Sequence, residues 1–157
     1  MLTLCEHLAT TCIQIGIEAT EREEVLAQLA IEAEATGLVS DHRRFLESLK
    51  TREAEMSTGV GRGLAVPNAE VAGARRTFVI GATLNRPVPY HSIDGQPVDV
   101  IFLIGGKPGE VGLHLQLLAR IARLARQPEF LARLRRQRTA EAFLSVIEEA
   151  EQQLYDR

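Results

Sequence analysis

The 157-residue sequence is poor in the features that mark several large classes of protein. Its two cysteines, Cys5 and Cys12, are too few and too close to the N-terminus for a disulfide framework, and neither has a second ligand at metal-binding spacing. No apolar run reaches membrane-spanning length, and the N-terminus lacks the basic start and apolar region of a signal peptide. We therefore expect a cytoplasmic protein with ordinary thiols, no metal, no cofactor and no membrane insertion.

The periodicity of the chain predicts an α/β fold. A hydrophobic content of 45% fits one globular domain over 1–157, and no internal repeat or low-complexity tract interrupts it. Alternation and β-branched residues predict strands, and apolar stripes at helical spacing predict helices. The strands are expected at 12–17, 77–84 and 98–104, and the helices at 21–36, 40–55, 113–125, from 130 and after 139. Because 98–104 is almost continuously apolar, we expect it at the centre of a sheet with helices on both faces.

Local signals place the ends of these elements. Thr20 followed by Glu23 predicts a capping box for the first helix, and Gly37 is placed to end it. Ser40 is the candidate N-cap of the second helix, and Thr139 that of the last. The segment 85–96, with two prolines and an Asp-Gly pair, is expected to be a hairpin or an irregular loop.

The segment 52–68 carries three glycines within five residues, Gly59, Gly61 and Gly63. This density predicts a loop with positive φ or close backbone approach, in which several N–H groups could point at one anion. The spacing matches neither the dinucleotide fingerprint nor the P-loop, so an ordinary structural turn is the alternative.

The order of motifs through nearly the whole chain resembles the enzyme IIA domain of the bacterial phosphoenolpyruvate-dependent sugar phosphotransferase system, of the fructose/mannitol and nitrogen-regulatory type. The motifs that carry the resemblance are Arg52-Glu53, Ser57-Thr58-Gly59-Val60-Gly61, Ala65-Val66-Pro67-Asn68, Asp94-Gly95-Gln96-Pro97-Val98 and His114-Leu115. The resemblance implies a mixed sheet with helices packed on both sides and a phosphorylation site lined by His114. The histidine that such domains phosphorylate falls on Asn68.

Each candidate site residue also has a structural interpretation. Arg52 could hold a phosphate or carboxylate through its fork of donors, or be a solvated residue at a helix end. Thr58 could hydrogen-bond the side chain at 68 or cap a turn. His114, at a predicted helix N-terminus, is expected to be neutral and to donate one hydrogen bond, or to be only a capping or partly buried residue. His91 matches no family site and is expected to be a surface residue.

Asn68 decides the functional prediction. A phosphohistidine relay needs an imidazole nitrogen whose lone pair can attack phosphorus, whereas the lone pair of an amide nitrogen is delocalised. We therefore expect that Asn68 does not accept phosphate from HPr, the family's upstream donor, and that Glu70 adds an unfavourable charge. The alternative is a phosphocarrier that uses His114 or His91. Asn68 could mark a natural regulatory paralogue, which we prefer, an engineered block, or a divergent subfamily that binds another anion.

Charge patterning bears on partners. The net charge of −3 gives no global attraction to nucleic acid or membrane, although the segment 120–138 contains seven arginines and one acidic residue. Such a patch could attract an acidic protein, or be a solvated face; without interleaved aromatics we do not expect nucleic acid. We expect protein partners: HPr-like or IIB-like proteins, or a transporter or kinase. The sequence leaves open which sugar or pathway is served and whether the chain forms a homodimer.

Overall fold

The computed structural model describes residues 2–155, in which a mixed β-sheet lies between two groups of helices. The strands are β1 (Ile13–Ile17), β2 (Gly59–Gly61), β3 (Leu64–Ala65), β4 (Asn68–Glu70), β5 (Phe78–Val88) and β6 (Val98–Gly106). The helices are α1 (Arg22–Ala35), α2 (His42–Glu55), α3 (Val111–Ala125), α4 (Phe130–Arg136) and α5 (Ala140–Tyr155), preceded by short 3₁₀ turns at Cys5–His7 and Thr10–Cys12. The predicted α/β fold is confirmed.

Strand β6 lies at the centre of the sheet. One edge of β6 pairs antiparallel with β5, and the other edge pairs in parallel with β3 and β4. β1 extends the sheet in parallel beyond β5, and β2 pairs antiparallel with β3 at the opposite end. Eight of the nine residues of β6 are buried, as its continuous apolar sequence predicts for a strand covered on both faces.

Phenylalanine side chains define the two faces of the sheet. Phe78 of β5 contacts Phe45 of α2 edge to face, with ring centroids 5.8 Å apart. Phe102 of β6 packs on the opposite face against Phe130 of α4 at 6.5 Å and Phe143 of α5 at 5.9 Å. Since successive side chains of a strand alternate in direction, α1 and α2 cover one face and α3 to α5 cover the other.

Two of the predicted helix caps are wrong and two are confirmed. Asp41 rather than Ser40 caps α2, because its carboxylate accepts the backbone N–H of Arg43 at 2.9 Å. At α1 the capping box does not form: the Thr20 hydroxyl donates to the carboxylate of Glu24, one turn into the helix. Gly37, with a φ of +78°, follows the end of α1 as predicted. The Thr139 hydroxyl accepts an N–H from the first turn of α5, also as predicted.

The segment 85–96 divides between a strand and a turn. β5 continues to Val88 instead of ending at 84, because the pairing with β6 shifts register before Val88 and leaves room for Pro87. The remainder turns at Gly95, which has a φ of +74° and donates its N–H to the carbonyl of Ser92 at 2.9 Å. The prediction of a hairpin is therefore confirmed, since the segment joins the antiparallel strands β5 and β6, and only its second half is an irregular loop.

Candidate functional site

The three-glycine segment folds as a β2–β3 hairpin whose two short strands the sequence analysis did not predict. Gly61 and Gly63 have φ values of +109° and +83°, which side chains disfavour. Gly59 is needed for a different reason, because a Cβ there would lie 2.3 Å from the Oγ of Ser92. The glycines therefore allow positive φ at two positions and close approach of Ser92 to the backbone at the third, as predicted.

The prediction that backbone N–H groups of this segment point at one anion is wrong. The N–H of Thr58 donates to the Glu53 carboxylate at 3.0 Å, and that of Gly59 donates to the Ser57 hydroxyl at 3.1 Å. The N–H of Arg62 donates to the Asp94 carboxylate at 2.9 Å, which lowers the pKa of Asp94. Three N–H groups of this segment therefore donate to three different acceptors within the chain and do not converge on one anion.

Alternate residues from β3 to β4 form one wall of a cavity of about 400 Å³. Leu64, Val66 and Asn68 point toward α3, in accordance with the two-residue period of an extended chain along β6. The opposite wall consists of α3 residues at helical spacing, namely Leu118, Ile121, Ala122 and Ala125. The sheet edge and α3 thus enclose the position that the resemblance assigns to the phosphorylated histidine.

Asn68 is held in this cavity by two hydrogen bonds. Its Nδ2 donates to the carbonyl of Val66 at 2.9 Å, and its Oδ1 lies 3.2 Å from Nε2 of His114. The donation to Val66 assigns the amide orientation, so Oδ1 must be an acceptor and His114 carries a proton on Nε2. The structure therefore brings together the two residues that the resemblance placed in one site, 46 positions apart in the sequence.

His114 lies in the first turn of α3 and is half-buried. Burial lowers the pKa of His114 from its ordinary 6.5, while the nearby charge of Glu70 opposes the shift. The ring is therefore neutral at pH 7, the state predicted from the sequence, with Nε2 protonated and Nδ1 carrying the lone pair. Nδ1 faces β6, where a Cβ on Gly106 would lie 2.7 Å from it.

Replacing Gly106 with alanine is expected to displace the His114 ring, because the new methyl group would overlap Nδ1. The ring would lose its hydrogen bond to Asn68 and move toward water, so the pKa of His114 should rise toward its ordinary value. Titration of the His114 ring protons by NMR measures this shift. The control is Gly112→Ala, since Gly112 of α3 has open space around its Cβ position. An unchanged His114 pKa in Gly106→Ala would contradict the packing described here.

Three arginines contribute to the cavity. Arg52 lines it and also donates to the carbonyl of Met56 at 2.9 Å at the end of α2. Arg62 and Arg126 line the same cavity and were not singled out by the sequence analysis. Arg126 follows Ala122 by four residues, and this helical spacing could have placed it on the face of α3 that lines the cavity. No local pattern in the sequence indicates that Arg62 lines the same cavity. No aspartate or glutamate lines this cavity among residues 2–155.

Thr58 does not bond the side chain at 68, so that prediction is wrong. Its hydroxyl donates to the carboxylate of Glu53, which is only 6% exposed. Glu53 also accepts the Tyr90 hydroxyl at 2.9 Å and lies 3.6 Å from the guanidinium of Arg22. Burial and the Glu53 charge raise the pKa of Tyr90. The Arg-Glu motif thus supplies a buried carboxylate, a role that the sequence analysis missed.

The remaining candidates lie away from Asn68. His91 is exposed and does not line the Asn68 cavity. The arginines of 120–138 occupy several environments instead of one face: Arg120 stacks on Tyr155 at 4.7 Å, and Arg135 pairs with Asp99 at 2.8 Å. The predicted basic patch is therefore divided. No helix within residues 2–155 is long and apolar enough to cross a membrane.

Comparison with known proteins agrees with this fold. Residues 6–150 match the family described as the phosphoenolpyruvate-dependent sugar phosphotransferase system, EIIA 2. The chain is 35% identical over 147 residues to a nitrogen regulatory protein of Bradyrhizobium diazoefficiens, covering 93% of this chain and 95% of that protein. The crystal structure of the nitrogen regulatory protein IIA-Ntr from Neisseria meningitidis superposes with a TM-score of 0.84 at 25% identity, covering 91% of this chain and 97% of that one.

A further solved structure has the same fold. It is the complex of enzyme IIAMTL and phosphorylated enzyme IIBMTL from Escherichia coli, with a TM-score of 0.76 at 16% identity, covering 90% of this chain and 96% of that one. Together, the mixed sheet between helices and the family match over 6–150 define a phosphotransferase-system IIA domain. The chain belongs to the EIIA type 2 family, and it resembles that family's nitrogen regulatory members.

Proposed function

We propose that this chain is a regulatory or protein-binding IIA module of the cytoplasm that does not accept phosphate at residue 68. The observation that carries the proposal is the Asn68 amide, which stands where the resemblance places the acceptor histidine. Its nitrogen donates to the carbonyl of Val66 and has no lone pair available for attack on phosphorus. The cavity around it is retained, so the module keeps the shape of the site without its nucleophile.

Protein contacts are the proposed mode of action. Two apolar side chains that line the cavity are exposed: Met56 is 72% and Val60 55% exposed. Leu115 of α3, next to His114 in the sequence, is 60% exposed. Apolar residues grouped at one site favour a protein interface over an inert surface. The IIAMTL–IIBMTL complex supports a partner of the HPr-like or IIB-like kind, and transporters or kinases remain further candidates. We infer no binding of nucleic acid and leave homodimerisation undecided.

A second function, phosphate transfer through another histidine, is favoured by one observation: His114 lies against Asn68. Two features oppose it. The Nε2 atom of His114 carries the proton donated to Asn68, and Nδ1, which has the lone pair, faces the backbone of β6 at Gly106. A phosphoryl group there would also approach the negative charge of Glu70. His91 is exposed but lies outside the cavity.

The deciding experiment is intact-protein mass spectrometry after incubation with phosphoenolpyruvate, enzyme I and HPr. The unaltered chain is expected to gain no phosphate, while Asn68→His run in parallel serves as the positive control. If the unaltered chain gains a phosphate that survives base but not acid, a histidine is phosphorylated and the proposal is wrong. The His114→Gln and His91→Gln variants would then identify which ring carries it.

A further inference from the structure

We propose that the cavity beside Asn68 binds a small organic phosphate, with its phosphate on Arg52, Arg62 and Arg126 and its apolar part between the sheet edge and α3. This inference rests on the proposed function, because it requires that the site bind a phosphate without accepting its phosphoryl group. The ligand class follows from the charge, the lining and the chemistry of residue 68.

The charge of the cavity is uniformly positive. Arg52, Arg62 and Arg126 line it, no carboxylate does, and none of the three makes a salt bridge with a carboxylate of residues 2–155. By contrast, Arg133 and Arg135 are each paired with an acidic side chain. A guanidinium group is planar, and two of its N–H groups can each donate a hydrogen bond to an oxygen of the same phosphate. Three such groups without anionic partners favour a dianion.

The two walls of the cavity are largely apolar. Leu64 and Val66 lie on the sheet side, and Leu118, Ile121 and Ala125 lie on the helix side. A volume of about 400 Å³ falls in the usual range for small-molecule sites, which combine an apolar lining with a few polar groups. Inorganic phosphate would fill only a part of this volume, so the fit favours a ligand with an apolar group attached to the phosphate.

Asn68 suits a site that binds phosphate without reacting with it. The amide nitrogen has two hydrogens, and the one acceptor found for them among residues 2–155 is the carbonyl of Val66. The second hydrogen is available to a ligand oxygen. Because an amide does not attack phosphorus, a bound phosphate ester would stay intact and occupancy could follow ligand concentration. Val60 and Met56 line the same cavity and are exposed, so a ligand there would alter the proposed partner surface.

The test is isothermal titration calorimetry of the full chain with phenyl phosphate as the probe. Phenyl phosphate is expected to bind at least about tenfold more tightly than inorganic phosphate, and phenol is expected to give no binding heat. Arg126→Gln should weaken binding of phenyl phosphate about tenfold through the loss of charge-assisted hydrogen bonds. Arg123→Gln is the matched control, since Arg123 is exposed on the same helix and does not line this cavity.

Three results would overturn the inference: no binding heat with phenyl phosphate, equal affinity of the Arg126→Gln and Arg123→Gln variants, or tighter binding of phenylacetate than of phenyl phosphate. The last would assign the site to carboxylates. The proposed function is tested separately. Absence of binding in a chain that is also not phosphorylated removes only this inference, whereas phosphorylation of the unaltered chain removes the proposed function whether or not phenyl phosphate binds.

Discussion

Asn68→His is expected to change this chain from one that gains no phosphate to one that accepts a phosphoryl group from phosphorylated HPr. Asn68 lines an open cavity, so an imidazole can extend from β4 into existing space. The Nε2–H of His114, which now donates to the Asn68 oxygen, can donate instead to one nitrogen of the new ring. The other ring nitrogen would then present its lone pair to the cavity, where Arg52 stands as an electrostatic partner for the phosphate.

Two companion variants make this result specific. Asn68→Gln keeps an amide at this position and should gain no phosphate, which separates chemistry from a change of size. Asn68→His combined with His114→Ala should be phosphorylated more slowly by about tenfold or more, because the donor that orients the new ring is absent. Time courses by intact-protein mass spectrometry measure both. If Asn68→His stays unphosphorylated while folded, more than the acceptor is missing, and Glu70 beside His114 is the first residue to replace.

Local patterns predicted the elements whose burial is decided within a few residues. The continuous apolar run of β6 and the apolar stripe of α3 predicted the correct element type and the correct burial. The spacing of apolar residues within such a segment determines both. The helix cap between Ser40 and Asp41 could not be chosen this way. Both residue types cap helices, and the choice depends on which backbone has the extended cap geometry, here Asp41 with a φ of −149° and a ψ of 104°.

The residues of the site could be predicted where they belong to a family motif. They could not be predicted where elements distant in the sequence come together. The family resemblance joined Asn68 to His114, a pairing that spacing alone does not indicate. The resemblance did not indicate that Thr58 would bond Glu53, since the partner of a hydroxyl depends on where α2 ends. Arg62 and Arg126 line one cavity because α3 packs on β6 and leaves space beside the β2–β3 hairpin. Such convergence is set by tertiary packing.

Glu53→Gln is expected to lower the free energy of unfolding by about 3 kcal/mol, because it removes the charge and one acceptor oxygen of a buried carboxylate that several groups share. The carboxylate accepts hydrogen bonds from the N–H of Thr58 and from the hydroxyls of Thr58 and Tyr90. It also forms an ion pair with Arg22. A glutamine retains one acceptor oxygen and turns the other into a donor. The glutamine oxygen can still accept the Thr58 N–H, but the NH₂ group would then face the hydroxyls of Thr58 and Tyr90, which lose their shared acceptor. The negative charge beside Arg22 would also be lost.

Equilibrium unfolding in urea measures this loss as a lower midpoint at unchanged slope. Glu55→Gln is the matched control: Glu55 is exposed on the last turn of the same helix, so its substitution should cost less than about 0.5 kcal/mol. Tyr90→Phe removes one hydrogen bond of the network and should fall between the two, at about 1 kcal/mol. A Glu53→Gln variant as stable as Glu55→Gln would mean that the carboxylate does not hold the hairpin to α2. Because Thr58 also lines the cavity, the same carboxylate that stabilises the fold fixes one wall of the site.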